Sequence, residues 1–348
     1  MKQLGYYLIK LWASAGLFCY YKRIKVVGAA HVPTNKPVLF LSNHQNALLD
    51  VLLIATRCRR KPWFLARSDI FANPILQSGF SFLQMLPIYR LRDGRANLTK
   101  NGPIFELCAS LLANGEAIVL FPEANHSLRR RVRPLSKGFT RVVLAALEKY
   151  PNLDLQLVAI GQNYAHPTQA GDSATLHFGK PISVQQHLGA DNFVSELRQA
   201  VFDSLTGLTT HIPEDLYDDV TERIGENGNI YLDPAKVNTM VNDNAYLQSG
   251  NLKTQPTNWL LRRVFVLWNL PMVMLWRMFL KPRVPEEEFM ATFRIGFALL
   301  IYPLFYLLGF LVLWNLDQAK TACLFVLGHA VVNMVLVKMG ITSSSQRK

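Results

Sequence analysis

The stretch Val38-Leu-Phe-Leu-Ser-Asn-His-Gln-Asn-Ala-Leu-Leu-Asp50 passes from one hydrophobic pattern to another. Four consecutive apolar residues, Val38–Leu41, predict a buried strand. A short polar loop follows, and Asp50 begins an apolar run, Asp50–Thr56, that predicts a helix. A strand followed by a loop and a helix is the repeating unit of parallel sheets covered by helices. The stretch therefore predicts an α/β fold in which Asn43 and His44 come directly after a strand.

The same alternation continues to about residue 210. Further strands are predicted at Trp63–Ala66, Ala117–Phe121, Leu155–Ile160 and Ala174–Phe178. Further helices are predicted at Phe71–Leu83, Pro103–Ala113, Gly138–Glu148 and Asn192–Leu205. We therefore expect residues 26–210 to form one catalytic α/β domain with a mostly parallel sheet. Sites in such folds lie in the loops at the carboxyl ends of the strands.

Composition limits the classes of protein to which the chain can belong. Its 348 residues carry a formal charge of +13, half are apolar, and the mean hydropathy is +0.13. A chain this apolar is not intrinsically disordered. A basic, apolar chain suits either nucleic acid or an anionic membrane. The charge is uneven: residues 1–210 carry +12, residues 211–257 carry −5 and residues 258–348 carry +6. The acidic part, 211–257, is either a connector or a surface excursion of the preceding domain.

The C-terminal region, 258–341, contains two long uncharged runs. Ile295–Trp314 spans about 30 Å as a helix, the thickness of the hydrocarbon core of a bilayer. Thr321–Val337 is slightly shorter. Together they predict a hairpin of transmembrane helices at 295–314 and 321–337. The alternative is a hydrophobic helical pair buried against a partner subunit. Membrane spans leave nucleic acid as the poorest candidate partner.

Two other apolar segments are interrupted by charges. Residues 259–280 hold three tryptophans, three arginines and Pro271, a pattern that indicates an interfacial or re-entrant segment. Residues 1–25 have Lys10 mid-segment and tyrosines at both ends, which favours an amphipathic helix in the membrane interface over a cleaved leader. A third spanning helix is the alternative. Basic residues flank the hairpin's outer ends and predict that the catalytic domain faces the cytoplasm: Arg262, Arg263, Lys281, Arg283, Arg294, Lys338, Arg347 and Lys348.

His44 and Asp50 are the first candidates for chemistry. A carboxylate on one imidazole nitrogen fixes the tautomer and stabilises the imidazolium, so the pair can act as a general base on a hydroxyl. The alternative is that Asp50 only caps its helix and His44 is incidental. The four cysteines are scattered and have no ligand-type spacing to histidine, so no metal site is predicted.

A second polar stretch, Phe121-Pro-Glu-Ala-Asn-His-Ser-Leu-Arg-Arg-Arg-Val-Arg-Pro134, also follows a predicted strand. Guanidinium groups bind phosphate in bidentate fashion, so an arginine run near a base indicates a phosphorylated substrate. Most of these arginines fit equally well a solvated basic face on anionic lipid. Arg90, in Met85-Leu-Pro-Ile-Tyr-Arg90, is a weak signal alone and a phosphate clamp if it lies near the other two stretches.

Taken in order, these motifs resemble those of the PlsC-like glycerolipid acyltransferase superfamily. The family pattern is N-H-x4-D, an Arg motif, F-P-E-G-T-R-S and an apolar strand block. Here the counterparts are Asn43-His44 with Asp50, Leu86-Pro-Ile-Tyr-Arg90, Phe121–Ser127 and Val158–Tyr164. The resemblance covers about residues 20–205.

The resemblance implies a fold and a reaction. It implies an α/β domain in which His44, oriented by Asp50, activates an acceptor hydroxyl to attack acyl-CoA or acyl-acyl carrier protein as co-substrate. No metal or bound cofactor is implied. The substrate-binding residues implied are Asn43, Arg90, Glu123, Asn125, Ser127, Arg129 and Arg130. Amides around Ala124–Ser127 are expected to stabilise the oxyanion. The expected acceptor is glycerol 3-phosphate or 1-acylglycerol 3-phosphate in phospholipid biosynthesis, at the cytoplasmic face of a bacterial inner membrane.

Three departures from the family pattern bear on the acceptor. The His–Asp spacing is x5, as in a branch that includes fungal glycerol-3-phosphate acyltransferases. Ala124 replaces the usual Gly, and Asn125-His126 replaces Thr-Arg, so the motif arginine is missing in place. These changes leave open a lysophospholipid or amino-acid lipid as acceptor. They also leave open a catalytically inactive membrane lipid-binding protein, which the presence of both His44 and Asp50 argues against.

Overall fold

A computed structural model describes residues 2–90, 93–225, 228–248, 259–316 and 318–341. Its eight strands are β1 Arg23–Val27, β2 Val38–Ser42, β3 Trp63–Arg67, β4 Met85–Ile88, β5 Ala117–Leu120, β6 Gln156–Tyr164, β7 Ser173–Phe178 and β8 Ile182–Ser183. The helices of the first 210 residues are α1 Lys2–Tyr20, α2 Ala47–Arg57, α3 Pro74–Phe82, α4 Asn101–Ala113, α5 Gly138–Lys149 and α6 Phe193–Leu208.

The strands form a single sheet in the order β1-β7-β6-β2-β5-β3-β4, with β8 beside β6. Every pairing is parallel except those of β6 with β7 and with β8. The predicted mostly parallel α/β sheet is therefore confirmed, and all five predicted strands are present. The sequence prediction missed β1, β4 and β8. β1 alternates exposed and half-buried residues at the sheet edge, so it lacks the continuous apolar run that marked the central strands.

Alternating residues of the central strands build one core on each face of the sheet. Leu39 and Leu41 of β2 face a cluster that includes residues of α4, α5 and α6. Val38 and Phe40 face the opposite cluster, which contains residues of α1, α2 and a C-terminal helix, Met290–Asn315. Strands that are buried on both faces have sequences of consecutive apolar residues. For this reason β2, β5 and β6 could be predicted.

The C-terminal region consists of α9 Trp259–Trp268, α10 Leu270–Leu275, α11 Met290–Asn315 and α12 Ala319–Met339. The chain is helical from Glu287 to Asn315 and from Ala319 to Met339, and both stretches are long and apolar enough to cross a membrane. They pack against each other, which confirms the predicted apolar hairpin. α11 begins inside the α/β core, because Ala291 and Ile295 are nearly fully buried there. The α/β sheet and the hairpin are thus joined through packed side chains.

The segment predicted as interfacial or re-entrant is a broken helix. α9 meets the stretch Leu270–Arg283 at an angle of 92°, so the pair is a re-entrant loop or a broken span. α7 Tyr217–Ile224 and α8 Pro234–Asn242 are short and share a small core of their own in the acidic segment. Residues 226–227 and 249–257 of that segment, and the flanking Arg347 and Lys348, lie outside the described residues.

Candidate functional site

His44 and Asp50 are brought together by the turn between β2 and α2. His44 Nδ1 lies 2.8 Å from Asp50 Oδ2, although five residues separate them. Within the turn, Ala47 adopts a left-handed φ of 43°, and the Asn46 amide donates to the same Asp50 oxygen at 2.7 Å. Asp50 is fully buried. The carboxylate on Nδ1 leaves Nε2 as the nitrogen that can take up a proton.

The other oxygen of Asp50 is held by β6. The Tyr164 hydroxyl donates to Asp50 Oδ1 at 2.5 Å, and both side chains are completely buried. Asn43 joins the same strand through two bonds with the Gln162 backbone, of 2.9 and 2.8 Å. Buried and bonded to backbone, Asn43 anchors the loop. Tyr164 thus helps to position the Asp50 carboxylate. Tyr164 was part of the Val158–Tyr164 motif, but no role was predicted for it from the sequence.

The loop after β5 lies against His44. The His44 ring stacks on Phe121 with centroids 4.1 Å apart, and the Ser127 amide donates to the His44 carbonyl at 3.1 Å. Ala124, where the family pattern has glycine, has a φ of 64° in the left-handed region that favours glycine. The Ala124 amide donates to the Phe121 carbonyl. The backbone amides of Asn125 and His126, by contrast, have no hydrogen-bond acceptor in the described part of the chain. They can therefore donate to a ligand.

Glu123 is linked to this loop through Arg133. Its Oε2 accepts from Nε and Nη2 of Arg133 at 2.8 and 2.6 Å, and Arg133 also bonds the carbonyl and side-chain oxygens of Asn125. Burial raises the pKa of Glu123 to about 7, against the opposing effect of Arg133. Glu123 Oε1 is buried and has no hydrogen-bond partner within the described ranges. The sequence included Arg133 in the arginine run, but its pairing with Glu123 was not anticipated.

A cavity of about 550 Å³ opens beside His44. Its walls are mainly apolar and come from α2, β3, β4, α4 and the β5 loop, including Leu48, Leu65, Met85, Phe105 and Phe121. Phe289, just before α11, also lines it. Parallel pairing of β2, β5, β3 and β4 explains the location, since their carboxyl ends share one edge of the sheet.

Basic side chains surround this cavity. Arg67, the last residue of β3, and Arg90, which follows β4, line it together with Lys137 and Arg141 at the start of α5. The sequence singled out Arg90 but missed the other three; Arg67 had a usable signal, since it directly follows a predicted strand. Arg90 Nη2 lies 3.1 Å from Asp93 Oδ1, and Arg67 pairs with Asp69.

A smaller polar pocket adjoins the cavity between Arg67, Arg90, Asn125 and His126. His126, which stands where the family has arginine, lies 3.4 Å from Glu286. Its ring centroid is 5.7 Å from that of His44. Burial, and secondarily the electrostatic effect of the nearby His44, lowers the pKa of His126. An imidazole therefore occupies the place of the motif arginine.

Arg129 and Arg130 lie elsewhere. Arg129 pairs with Glu214 and lies over the Tyr217 ring. Arg130 donates to the Tyr164 and Ala165 carbonyls at 2.6 and 2.9 Å. Neither lines the cavity beside His44, so the substrate-binding role predicted for them stays a prediction without a supporting contact.

Comparison with known proteins agrees with these motifs. The family model described as Acyltransferase matches residues 23–161, which contain the His44–Asp50 pair and the β5 loop. Residues 23–161 are therefore similar to acyltransferases of this family. This match confirms the resemblance inferred from the motifs.

Relatives within the family are distant. A chloroplastic 1-acyl-sn-glycerol-3-phosphate acyltransferase of Brassica napus is 27% identical over 213 residues, 59% of this chain and 57% of that protein. The glycerol-3-phosphate O-acyltransferase 1 of Saccharomyces cerevisiae is 33% identical over 79 residues, 23% of this chain and 10% of that protein. The crystal structure of PlsC from Thermotoga maritima is 17% identical, with a TM-score of 0.43, covering 59% of this chain and 78% of that one. The chain thus spans little more than half the length of its plant relative.

Proposed function

We propose that the protein is a membrane-bound O-acyltransferase that moves a fatty acyl group from acyl-CoA or acyl-acyl carrier protein to a hydroxyl of glycerol 3-phosphate or 1-acylglycerol 3-phosphate. The observation that carries this proposal is the His44–Asp50 contact of 2.8 Å at the edge of an apolar cavity bordered by arginines. Base, acyl-binding walls and phosphate-binding groups are the three things that this reaction needs.

The acyl group passes directly from the thioester to the acceptor hydroxyl, without an acyl-enzyme intermediate. His44 Nε2 accepts the proton of the acceptor hydroxyl while the hydroxyl oxygen attacks the thioester carbonyl carbon. The tetrahedral oxyanion is stabilised by the free amides of Asn125 and His126. The C–S bond then breaks, and the thiolate takes the proton from His44. The products are an ester and a free thiol, and Asp50 stabilises the imidazolium throughout.

The walls of the cavity support the assignment of substrate groups. Apolar side chains such as Leu65 and Phe105 suit a fatty acyl chain. Arg90 and Arg67 suit the acceptor phosphate, while Lys137 and Arg141, on the α5 side, suit the phosphate of the donor. Phe289 lies at the cavity wall just before α11, so an acyl chain has a short path from the bilayer. The hairpin α11–α12 is proposed to span the membrane.

A second acceptor class is favoured by one feature. The polar pocket contains three carboxylates beside its two guanidinium groups. Asp69 and Asp93 pair with Arg67 and Arg90, whereas Glu286, 63% exposed, lies beside His126, the residue that replaces the family's arginine. A headgroup that carries an amine as well as an anionic group complements this arrangement. Lysophospholipids and amino-acid lipids of that type are the alternative acceptors.

The test is acyl transfer by purified protein in lipid nanodiscs. Radiolabelled acyl-CoA and acyl-acyl carrier protein are offered with glycerol 3-phosphate, 1-acylglycerol 3-phosphate, lysophosphatidylethanolamine and an amino-acid lipid. We expect transfer to one of the two phosphorylated glycerols. Transfer only to an amine-bearing acceptor would replace the leading proposal with the alternative. Absence of transfer to any acceptor would refute the enzymatic proposal and favour a lipid-binding protein.

A further inference from the structure

A second cavity, of about 540 Å³, lies among the C-terminal helices and shares no lining residue with the cavity beside His44. Its walls come from α1, α10, α11 and α12, and they include Gly16, Met272, Phe297, Ala298 and Met334. α1 and α11 approach each other closely at Gly16, where an added Cβ would lie only 2.3 Å from Leu299 Cδ2. Apolar cavities of this kind exclude water and bind apolar molecules.

The extent of the cavity matches one leaflet of a bilayer. Along α11 it runs from Arg294, one turn after the start of the helix, to Tyr306. Twelve residues of helix span about 18 Å. Half of the hydrocarbon core measures about 15 Å. The cavity therefore has the depth of a single lipid tail, with Arg294 at its headgroup end.

Arg294 has capacity for an anion. Its Nη1 donates to the Thr168 carbonyl at 2.5 Å, and its guanidinium lies 5.3 Å from the centre of the Trp276 ring. Within the described residues, no carboxylate forms an ion pair with it. A guanidinium carries five N–H donors, and its planar fork fits two oxygens of a phosphate. Lys338, next to Val337 of the cavity wall, adds a second cation at the same end of the hairpin.

We propose that this cavity is a binding site for an anionic phospholipid, with one acyl chain between α1, α11 and α12 and the phosphate on Arg294. The depth of the cavity fits the length of one acyl chain. The guanidinium of Arg294 at the headgroup end favours a lipid with an anionic head. The site is separate from the one proposed for catalysis and does not depend on turnover.

Photolabelling tests the proposal without measuring activity. The full chain is placed in nanodiscs with phosphatidylglycerol that carries a diazirine on one acyl chain, or with the matching phosphatidylcholine probe, and the adducts are mapped by mass spectrometry. We expect the phosphatidylglycerol probe to label the cavity wall, for example at Met334. We expect labelling there at least about five times higher than with the phosphatidylcholine probe.

Two variants test the binding of the acyl chain and the binding of the headgroup separately. Ala298→Phe fills the cavity and is expected to abolish labelling of its wall, whereas Leu304→Phe, on an outward-facing and exposed position, is the matched control. Arg294→Gln is expected to remove the preference for phosphatidylglycerol, whereas Arg277→Gln, at an exposed arginine outside the cavity, retains it. Labelling confined to outward-facing residues, labelling insensitive to Ala298→Phe, or equal labelling by both probes would overturn the proposal.

Discussion

Two histidines of this chain stack on aromatic rings, one at the sheet edge and one between the apolar helices. His44 stacks on Phe121 at 4.1 Å and contacts Asp50. His329, in α12, stacks on Trp268 at 5.2 Å and contacts only neutral groups. Its Nδ1 is 3.1 Å from the Tyr306 hydroxyl and from Asn333 Nδ2, and its Nε2 is 3.2 Å from the Trp268 carbonyl.

The difference lies in which nitrogen is free. Both nitrogens of His329 are occupied, so its ring serves as a hydrogen-bonding link between α9 and the hairpin. One nitrogen of His44 faces a carboxylate, while the other has no hydrogen-bond partner among the described residues and borders a cavity. The Trp268 carbonyl lies at the break between α9 and α10, where a backbone group in a membrane needs a partner. These surroundings fit the proton transfer proposed for His44 and a structural role for His329.

The sharpest test of this contrast is His44→Ala. Removing the general base is expected to lower kcat for acyl transfer by at least about 100-fold. The melting temperature should fall only modestly, because the Asn46 amide still donates to the Asp50 oxygen that His44 contacts. His187→Ala, at a surface turn, is the control and should retain full activity. A His44→Ala protein that keeps its rate would remove His44 from the mechanism.

Tyr164→Phe tests whether the support behind Asp50 matters. The change deletes a hydrogen bond to a buried carboxylate, an interaction of about 1.5–3 kcal/mol. We expect kcat to fall about tenfold, because about 1.4 kcal/mol corresponds to that factor, while KM stays unchanged. Steady-state kinetics measure both constants, and Tyr150→Phe is the control in the same domain. An unchanged kcat would mean that Asn46 and the helix turn hold Asp50 without Tyr164.

His329→Ala is expected to do the opposite of His44→Ala. The substitution leaves the Trp268 carbonyl, the Tyr306 hydroxyl and Asn333 with one partner fewer. Intramembrane hydrogen bonds contribute about 0.6–1.7 kcal/mol, so the free energy of unfolding in nanodiscs should fall by about that amount. The acyl-transfer rate at a permissive temperature should not change. Leu324→Ala, at an exposed position, is the control. A loss of activity without a loss of stability would contradict the structural role.

The sequence predicted what depends on local pattern. Val38–Leu41 is an uninterrupted apolar run, so both the strand and the position of His44 after it could be predicted. The contact between Asp50 and Tyr164 could not, because it joins residues 114 positions apart, and only the pairing of β2 with β6 brings them together. Spacing alone left open whether Asp50 serves His44 or caps its helix. In the structure its carboxylate contacts His44 Nδ1 and also accepts from the amide of Asn46, the N-cap residue of α2.

The arginines show the limit of reading charge from a sequence. The run after Phe121 predicted phosphate ligands at Arg129 and Arg130. In the fold, Glu214 pairs with Arg129, and backbone carbonyls accept from Arg130. These partners come from the acidic segment and from the end of β6, which the sequence did not place nearby. Arg67, Lys137 and Arg141 reach the cavity instead, because strand order rather than clustering decides which cations face it.

A second buried carboxylate extends the comparison to Asp172. Both oxygens of Asp50 have hydrogen-bond donors, whereas Asp172 Oδ2 is buried and has no donor among the residues that the structure describes. Burial raises the pKa of Asp172 to about 7 from an ordinary value of 3.8, against the opposing backbone amides of His166 and Ser173. Folding therefore favours its protonated form. This contribution to stability is complete below pH 3.8 and is lost as the pH rises to about 7.

Asp172→Asn should remove this pH dependence, because the amide oxygen still accepts from both backbone amides but does not ionise. The free energy of unfolding of the wild type minus that of the variant should therefore decrease steadily between about pH 4 and pH 7 and level off above it. Chemical denaturation in nanodiscs at several pH values measures the difference, with Asp191→Asn, at an exposed position, as the control. A difference that does not vary with pH would mean that Asp172 is ionised in the folded protein across this range. The unpaired oxygen would then need a donor that reaches it on folding, and the contrast with the fully paired Asp50 would disappear.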